Sequence, residues 1–140
     1  MSLTVRTGID LVQISRIGES LNTFGDRFLR RIFTDDEIEY ALSSPPHTNA
    51  RLAARFAAKE ATIKALRVDG AGINFRDIEV RREPSGACTL VLHGEAATLA
   101  EGFGEFALSM SHEGDYATAV VVALCHAPPK GNCVASPADD

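Results

Sequence analysis

The 140-residue sequence has little cysteine and no long apolar run, and each absence argues against a class of protein. No apolar run approaches the ~20 residues that a membrane-spanning helix needs, so a membrane protein is not expected. The N-terminus lacks a signal-peptide pattern. Cys88, Cys125 and Cys133 are odd in number and have no paired metal-ligand spacing. They indicate a reducing cytoplasm rather than a disulfide-stabilised secreted domain.

The sequence also lacks an excess of positive charge and the glycine-rich loops that hold nucleotides. Its formal net charge is −5, which disfavours nonspecific nucleic-acid binding. Neither a Walker loop nor a dinucleotide fingerprint is present, so nucleotide phosphates would have to be held in another way. Residues 1–70 nevertheless contain a local basic cluster of Arg16, Arg27, Arg30 and Arg31. This basic cluster fits one acidic partner surface about as well as it fits a solvated patch.

A long helix over residues 49–66 is the clearest element that the sequence predicts. Strong helix formers dominate the segment, and neither proline nor glycine interrupts it. Its apolar side chains recur at helical spacing, which predicts a single buried stripe. Arg51, Arg55 and Lys59 follow one another at intervals of four residues and form a basic stripe on the same helix.

Three charged residues stand out as candidate site residues. Glu60 and Lys64 lie four residues apart, so a carboxylate and an ammonium group project side by side from the helix. For a helix taken alone, a solvated ion pair is the commoner explanation. Asp10 lies among apolar residues of a predicted strand, and Gly8 before it allows close backbone approach. A buried carboxylate needs a cation or several donors, although capping of the next helix is an alternative role.

Two hydroxyl groups and an imidazole lie close together late in the chain, in Ser109, Ser111 and His112. They follow one strand-like run and precede another, with residues 113–115 as the turn. Such groups at a strand end can donate hydrogen bonds to phosphate oxygens. A lone histidine at a turn is more often a solvated side chain, so this segment is weak evidence by itself.

The remaining patterns predict one α+β domain, in which an antiparallel sheet packs on helices. Strands are predicted at residues 3–9, 78–82, 89–93, 105–110 and 117–124, and further helices at 15–24, 34–42 and 95–101. Thr34 and Glu37 form a capping box, which predicts that the second of these helices begins there. The domain is expected to cover residues 1–125. Residues 126–140 are rich in Pro, Gly, Ala and Asp and are predicted to be disordered.

Three segments in combination resemble the 4′-phosphopantetheinyl transferases, in particular the short holo-acyl-carrier-protein synthase type. They are residues 8–10 (Gly-Ile-Asp), 55–65 (Arg-Phe-Ala-Ala-Lys-Glu through Lys-Ala) and 109–112 (Ser-Met-Ser-His). Order, spacing and total length agree, and the resemblance covers residues 3 to about 125. It implies an enzyme that moves phosphopantetheine from coenzyme A to a serine of an apo acyl carrier protein and releases adenosine 3′,5′-bisphosphate.

The resemblance implies a phosphoryl transfer in which positioning and charge neutralisation carry most of the catalysis. Asp10 and Glu60 match the metal-ligand positions of the family, and Mg²⁺ prefers such oxygen ligands. Lys64 would face the pyrophosphate and balance charge as the leaving phosphate departs. The base stays open between water bound to the cation and Glu60 acting through that water. The residues placed against coenzyme A are Arg55, Lys64, Gly72, Ser111 and His112.

The resemblance also implies protein partners. Arg16 falls at the carrier-contact position of the family, whose carrier proteins are acidic around the modified serine. A homotrimer with active sites between subunits is implied too, although the valine-rich run 120–122 could equally be an intramolecular core. Two other classes stay open: a binding module without activity, and a different magnesium-dependent phosphotransferase that shares only the two carboxylates. The acceptor could serve fatty acid, polyketide or nonribosomal peptide synthesis.

Overall fold

The computed structural model describes residues 3–68 and 72–126, which contain five strands and five α-helices. The strands are β1 (Thr4–Gln13), β2 (Ile78–Arg82), β3 (Cys88–Leu92), β4 (Phe103–Glu113) and β5 (Tyr116–Cys125). The helices are α1 (Ile14–Phe24), α2 (Asp26–Ile32), α3 (Asp35–Leu42), α4 (Thr48–Leu66) and α5 (Gly94–Leu99). Short 3₁₀ turns precede α4 at Pro45–His47 and β2 at Phe75–Asp77.

The strands form two antiparallel sheets. The larger sheet has the order β1-β5-β4, and the smaller one is the β2-β3 hairpin. In the larger sheet β1 pairs with β5 along its whole length, from Thr4 opposite Cys125 to Gln13 opposite Tyr116. Helix α4 lies against β1 and β5, and α1 and α3 pack beside it. This architecture confirms the predicted α+β class, with an antiparallel sheet packed on helices.

Helix α4 is more deeply buried than its sequence pattern predicts. Ala53, Ala57 and Ala61 have no exposed surface, so neighbouring elements approach the helix backbone closely. Arg55 and Lys59, two members of the predicted basic stripe, are only 4% and 0% exposed. Most of the predicted apolar stripe is buried, as expected, and two members of the predicted basic stripe are buried with it. A helix covered on most of its circumference buries polar side chains as well, and partners from distant segments must satisfy them.

Glu37 joins the capping box of α3 to the centre of the molecule. As predicted, the Thr34 hydroxyl accepts a hydrogen bond from the Glu37 amide, and the Glu37 carboxylate accepts one from the Thr34 amide. Glu37 Oε1 also lies 2.8 Å from Lys59 Nζ in a fully buried ion pair. Glu37 Oε2 accepts a hydrogen bond from the Val80 amide. One carboxylate therefore ties together α3, α4 and β2, and loss of either charge would leave the other unpaired in the interior.

Strand β1 approaches α4 very closely at Gly8, as the sequence indicates. A Cβ atom at this position would lie 1.8 Å from the carbonyl oxygen of Ala61 and 2.9 Å from the amide nitrogen of Ala65. Both separations are far inside van der Waals contact, so only glycine fits without a backbone shift. The close approach places Asp10, two residues further along β1, beside the C-terminal half of α4.

Helix α2 is an element that the sequence analysis missed. It has seven residues and begins after Gly25 without a side-chain cap, so neither periodicity nor a capping signal marks it. Strands β1 and β4 also extend past their predicted ends, to Gln13 and Glu113, because pairing with β5 continues through those residues. The predicted disordered tail, from residue 127 onwards, lies outside the described residues.

The face of the larger sheet opposite α4 carries exposed apolar side chains. We call this surface the open apolar face, and its members come from β1 and β5: Val5, Ile9, Leu11, Val120, Val122 and Leu124. Ile9 and Leu11 are 63% and 65% exposed, and contiguous apolar surface of this kind marks an interaction site. Within residues 3–68 and 72–126, no helix is both long and apolar enough to cross a membrane.

Candidate active site

Asp10, Glu60 and Lys64 come together where β1 runs along the C-terminal half of α4. Lys64 Nζ lies 3.5 Å from Asp10 Oδ1 and donates a hydrogen bond to the Ile9 carbonyl oxygen at 2.9 Å. The spacing in the helix predicts Glu60 as the neighbour of Lys64, whereas the salt-bridge partner in the structure is Asp10. Tertiary packing of β1 on α4 therefore turns a two-residue helix pair into a three-residue cluster.

Both carboxyl groups of this cluster have raised pKa values. Burial is the main cause for each of them, and Lys64 acts in the opposite direction on both. The pKa of Glu60 is raised further by the negative charge of Asp10. Two half-buried carboxyl groups share one lysine, so their negative charge is not fully balanced. Groups with such shifted pKa values are typical of functional sites.

The cluster fits a hard divalent cation that takes most of its ligands from elsewhere. The carboxylate oxygens of Asp10 and Glu60 are of the type that Mg²⁺ prefers. In the part of the chain that the structure describes, no group of three or more His, Cys, Asp or Glu residues could hold a metal ion. The chain can thus offer two carboxylates, and water and ligand phosphates would complete the coordination, as is usual for Mg²⁺.

A second group of predicted residues lines an open cavity of about 490 Å³. Arg55 comes from α4, and Ser111 and His112 come from the end of β4. Because side chains alternate along β4, the His112 side chain lies on the α4 side of the sheet and the Ser111 side chain lies on the opposite side. His112 is therefore the better placed of the two to point a donor into the cavity. The volume is in the range of small-molecule sites.

Arg55 is a buried cation in the wall of this cavity. Its Nη1 donates a hydrogen bond to the Arg51 carbonyl oxygen at 3.3 Å. Its Nε is buried and has no hydrogen-bond partner among the described residues. Burial lowers the pKa of the guanidinium group, and the positive charge of Arg51 acts in the same direction to a smaller extent. A buried guanidinium with a spare donor at a cavity is suited to binding an anion.

Three other cavity residues were missed by the sequence analysis: His47, Tyr40 and Arg82. They belong to the 3₁₀ turn before α4, to α3 and to the end of β2, so no local spacing connects them. The sequence signals for this cavity were the interval of four residues between Arg51 and Arg55 on α4 and the segment that ends in Ser111 and His112. Tertiary structure was needed to bring the other side chains around them.

The structure does not bring all the predicted residues into one pocket. Asp10, Glu60 and Lys64 are not among the described residues that line the cavity, so one chain presents the predicted residues in two groups. Gly72 is exposed and has a φ of +82°, a conformation that favours glycine, while residues 69–71 of the same loop lie outside the described part of the chain. Arg16 is exposed on α1, as a contact with a partner would require.

Comparison with known proteins identifies relatives along most of the chain. The model of the 4′-phosphopantetheinyl transferase superfamily matches residues 6–121. The holo-[acyl-carrier-protein] synthase of Koribacter versatilis is 49% identical over 119 residues, which are 83% of this chain and 94% of that protein. The ACPS–CoA complex of Chronobacterium ammoniagenes has a TM-score of 0.75 at 38% identity, over 88% of this chain and 97% of that chain. For the Helicobacter pylori synthase in complex with coenzyme A, the TM-score is 0.73 at 33% identity, over 84% and 98% of the two chains.

These matches include all three segments on which the resemblance was based. The region matched by the family model contains residues 8–10, 55–65 and 109–112. The likeness extends from sequence to fold, because the two solved synthase structures match this chain with TM-scores of 0.75 and 0.73. The chain belongs to the 4′-phosphopantetheinyl transferase superfamily.

Proposed function

We infer that this chain is a holo-[acyl-carrier-protein] synthase. It transfers the 4′-phosphopantetheine group from coenzyme A to a serine hydroxyl of an apo acyl carrier protein and releases adenosine 3′,5′-bisphosphate. The observation that carries this inference is the cluster of Asp10, Glu60 and Lys64, which holds two carboxylates and a lysine at the family motifs. Coenzyme A bound in the Chronobacterium structure supports the donor. The name of the Koribacter relative supports the acceptor.

Asp10 and Glu60 would hold a magnesium ion in this enzyme. When bound, Mg²⁺ would neutralise charge on the pyrophosphate of coenzyme A. Lys64 would place its ammonium group against the same pyrophosphate, because its contacts with Asp10 and the Ile9 carbonyl oxygen fix its direction. The raised pKa of Glu60 suits a group that accepts the serine proton through a water molecule. The alternative base is water held by the cation.

The cavity would receive the other end of coenzyme A. Arg55 would supply a buried positive charge and His112 a donor at the strand end, and Ser111 lines the cavity beside them. Gly72 would let the loop after α4 turn close to coenzyme A, because glycine has no side chain and adopts a positive φ without strain. These four residues are proposed as contacts with coenzyme A, with Lys64 on the pyrophosphate.

We further propose that the active enzyme is a homotrimer with its sites between subunits. The open apolar face supports association, because residues 3–68 and 72–126 leave six apolar side chains of the larger sheet exposed. The separation of the two site groups supports a shared site, in which one subunit contributes Asp10, Glu60 and Lys64. Its neighbour would then contribute Arg55 and His112.

The carrier protein would dock on the basic cluster, through Arg16 of α1. Arg16→Glu should raise the KM for carrier protein and leave the KM for coenzyme A unchanged, because a reversed charge repels an acidic partner. Added salt should weaken transfer by the wild type, since exposed charges are screened over ~10 Å at 0.1 M. If carrier kinetics are unchanged in Arg16→Glu at low and high salt, the cluster is a solvated patch. The reducing cytoplasm stays the predicted compartment.

The decisive experiment is direct transfer. The protein is incubated with coenzyme A, Mg²⁺ and an apo acyl carrier protein, and the carrier is weighed by mass spectrometry. A carrier that gains one phosphopantetheine group supports the proposed function. Binding of coenzyme A without a mass change would indicate an inactive binding module. A carrier that is neither bound nor modified would leave a different phosphotransferase as the better explanation.

A further inference from the structure

Tyr40 lies at the centre of three guanidinium groups. The guanidinium carbon atoms of Arg51, Arg55 and Arg82 lie 4.0, 4.6 and 5.3 Å from the centre of the Tyr40 ring. These distances are within the range of cation–π attraction. The four residues come from three elements, α3, α4 and β2, and all of them line the cavity described above. The ring therefore holds together charges that would otherwise repel one another.

The positive charge of these groups is not neutralised by an ion pair with any residue of the described ranges. Among the residues that the structure describes, none of the three arginines forms a salt bridge with a carboxylate. Arg51 donates instead to neutral oxygens, the carbonyl of Tyr40 at 2.8 Å and the hydroxyl of Ser43 at 3.1 Å. The negative charge of Glu37 partly offsets the lowering of the Arg55 pKa by burial, but Glu37 forms its ion pair with Lys59. A multiply charged anion in the cavity would complete this arrangement.

The chemistry of coenzyme A indicates which anion this is. The molecule carries a pyrophosphate and a separate phosphomonoester on its ribose, and the Asp10, Glu60 and Lys64 cluster is assigned to the pyrophosphate. The phosphomonoester is a compact dianion with three acceptor oxygens, which suits several guanidinium forks better than one lysine. Arg55 lines the cavity, and its buried Nε has no hydrogen-bond partner among the described residues.

We propose that Tyr40 is a positioning residue, whose ring holds Arg51, Arg55 and Arg82 in the orientation that binds the phosphomonoester of coenzyme A. Tyr40 does not touch the ligand's reacting atoms and acts only through the three guanidinium groups. The enzyme would then distinguish coenzyme A from dephospho-coenzyme A through this aromatic ring. The proposal rests on the proposed function for the identity of the donor.

The test compares Tyr40→Leu and Tyr40→Phe with both donors. Tyr40→Leu removes the aromatic face and should raise the KM for coenzyme A about tenfold, with little change in kcat. The KM for dephospho-coenzyme A should change by less than about twofold, because that donor lacks the recognised group. Tyr40→Phe keeps the ring face and should restore a KM for coenzyme A near that of the wild type.

Arg82→Gln extends the test to a residue that does not support the core. Arg82 is exposed at the end of β2, so its substitution should not unfold the protein. Like Tyr40→Leu, the Arg82→Gln variant should have a raised KM for coenzyme A and a nearly unchanged KM for dephospho-coenzyme A. Arg81→Gln is the matched control, because the neighbouring Arg81 pairs with Glu79 outside this cavity and should leave both KM values unchanged. If Tyr40→Leu does not fold, as judged by circular dichroism, the selectivity of Arg82→Gln decides the matter.

Two results would overturn the proposal. One is an equal rise of both KM values in Tyr40→Leu, which would mean that the ring only supports packing. The other is unchanged donor selectivity in a folded Tyr40→Leu or, if that variant does not fold, in Arg82→Gln. A wild type that transfers from neither donor would refute the proposed function instead. In that case calorimetric binding of adenosine 3′,5′-bisphosphate and adenosine 5′-monophosphate to the same variants tests Tyr40 independently of turnover, with the same selectivity expected.

Discussion

Two lysines of α4, only five residues apart, have different environments. Lys59 is fully buried, and its ammonium group contacts Glu37 and the carbonyl oxygens of Phe75 and Ile78. Lys64 is about one third exposed and contacts Asp10 at the edge of the candidate site. The first lysine therefore supports the fold, because its charge is satisfied inside the molecule, whereas the second keeps donors free for a ligand.

The contrast between these lysines predicts opposite outcomes of substitution. Lys64→Ala should lower kcat by about 10²–10³-fold, because a preorganised charge on the departing phosphate is lost, and it should leave the unfolding temperature nearly unchanged. Lys59→Ala should instead destabilise the fold by about 3–5 kcal/mol, because Glu37 would be left as an unpaired buried charge. Steady-state kinetics and thermal denaturation of both variants provide the check. A Lys64→Ala enzyme with normal kcat and only a raised KM for coenzyme A would contradict the role of Lys64.

At the scale of elements, the packing of β1 on α4 and the docking of α1 both position proposed site residues. Gly8 sets the distance between β1 and α4, and hence the position of Asp10 beside the helix. Helix α1 has no capping side chain of its own at Gln13. Its first amide groups, in Ile14 and Ser15, donate instead to Asp115 in the turn between β4 and β5.

Gly8→Ala should disturb both stability and activity. The new methyl group would overlap the carbonyl oxygen of Ala61, so backbone must move, at a cost of about 1–3 kcal/mol or more. The same movement would take Asp10 away from Lys64 and reduce turnover. Gly104→Ala is the matched control, because its methyl group would come no closer than 3.5 Å to the nearest atom. Equal stability and activity of the two variants would show that β1 does not need the close approach.

Asp115 predicts an acid-sensitive attachment of α1. Hydrogen bonds from Ser15 are the main reason that the pKa of Asp115 lies below its usual value. A lowered folded-state pKa means that the stabilisation is complete above the unfolded-state pKa of about 3.9 and is lost as the pH falls through the folded-state value. Asp115→Asn should therefore reduce the difference in unfolding temperature between neutral pH and pH values below about 4.

Thermal denaturation across this pH range, with Glu113→Gln as the control in the same turn, measures the effect. The control should follow the wild type, because Glu113 makes none of the contacts with the first turn of α1. Identical pH profiles for the wild type and Asp115→Asn would mean that the ionised carboxylate contributes nothing to the attachment of α1.

At the scale of the whole molecule, a single chain has an exposed apolar face, and its proposed site residues fall into two groups. The open apolar face exposes Ile9 and Leu11 next to Asp10, so association of chains would occur directly beside the candidate metal ligands. None of these candidate metal ligands is among the described residues that line the cavity with Arg55 and His112. Assembly and catalysis should therefore be lost together if the proposed trimer is correct.

Val120→Asp should convert the trimer into monomers and abolish transfer. Val120 lies in the central strand of the open apolar face, and a buried aspartate there would remain without a partner. Light scattering coupled to size-exclusion chromatography, together with the carrier mass assay, measures both effects. Thr23→Asp, at an exposed position of α1, should remain trimeric and active.

Complementation gives a sharper form of this prediction. Lys64→Ala and His112→Ala chains should each be nearly inactive alone, but mixed trimers should regain activity, because some sites would combine an intact Lys64 with an intact His112 from its neighbour. A fully active Val120→Asp monomer, or the absence of any recovery in mixed trimers, would show that each chain has a complete site.

The sequence by itself determined the elements whose signals are local. The helix formers of residues 49–66 predicted α4, Thr34 and Glu37 predicted the start of α3, and Gly8 predicted a close backbone approach. Propensity, capping and steric size act within a few residues, so they can be read directly from the chain. The three family segments likewise named Asp10, Glu60 and Lys64 as a set, although their roles stay proposals.

Only the tertiary structure decided which charges are buried and which residues meet. Sequence spacing placed Arg55 and Lys59 on one stripe of α4, but their burial depends on partners from α3 and from the 3₁₀ turn and strand that follow α4. The pairing of Lys64 with Asp10 and the capping of α1 by Asp115 join segments 54 and 100 residues apart. Such contacts follow from packing free energy summed over the whole chain, which no local pattern contains.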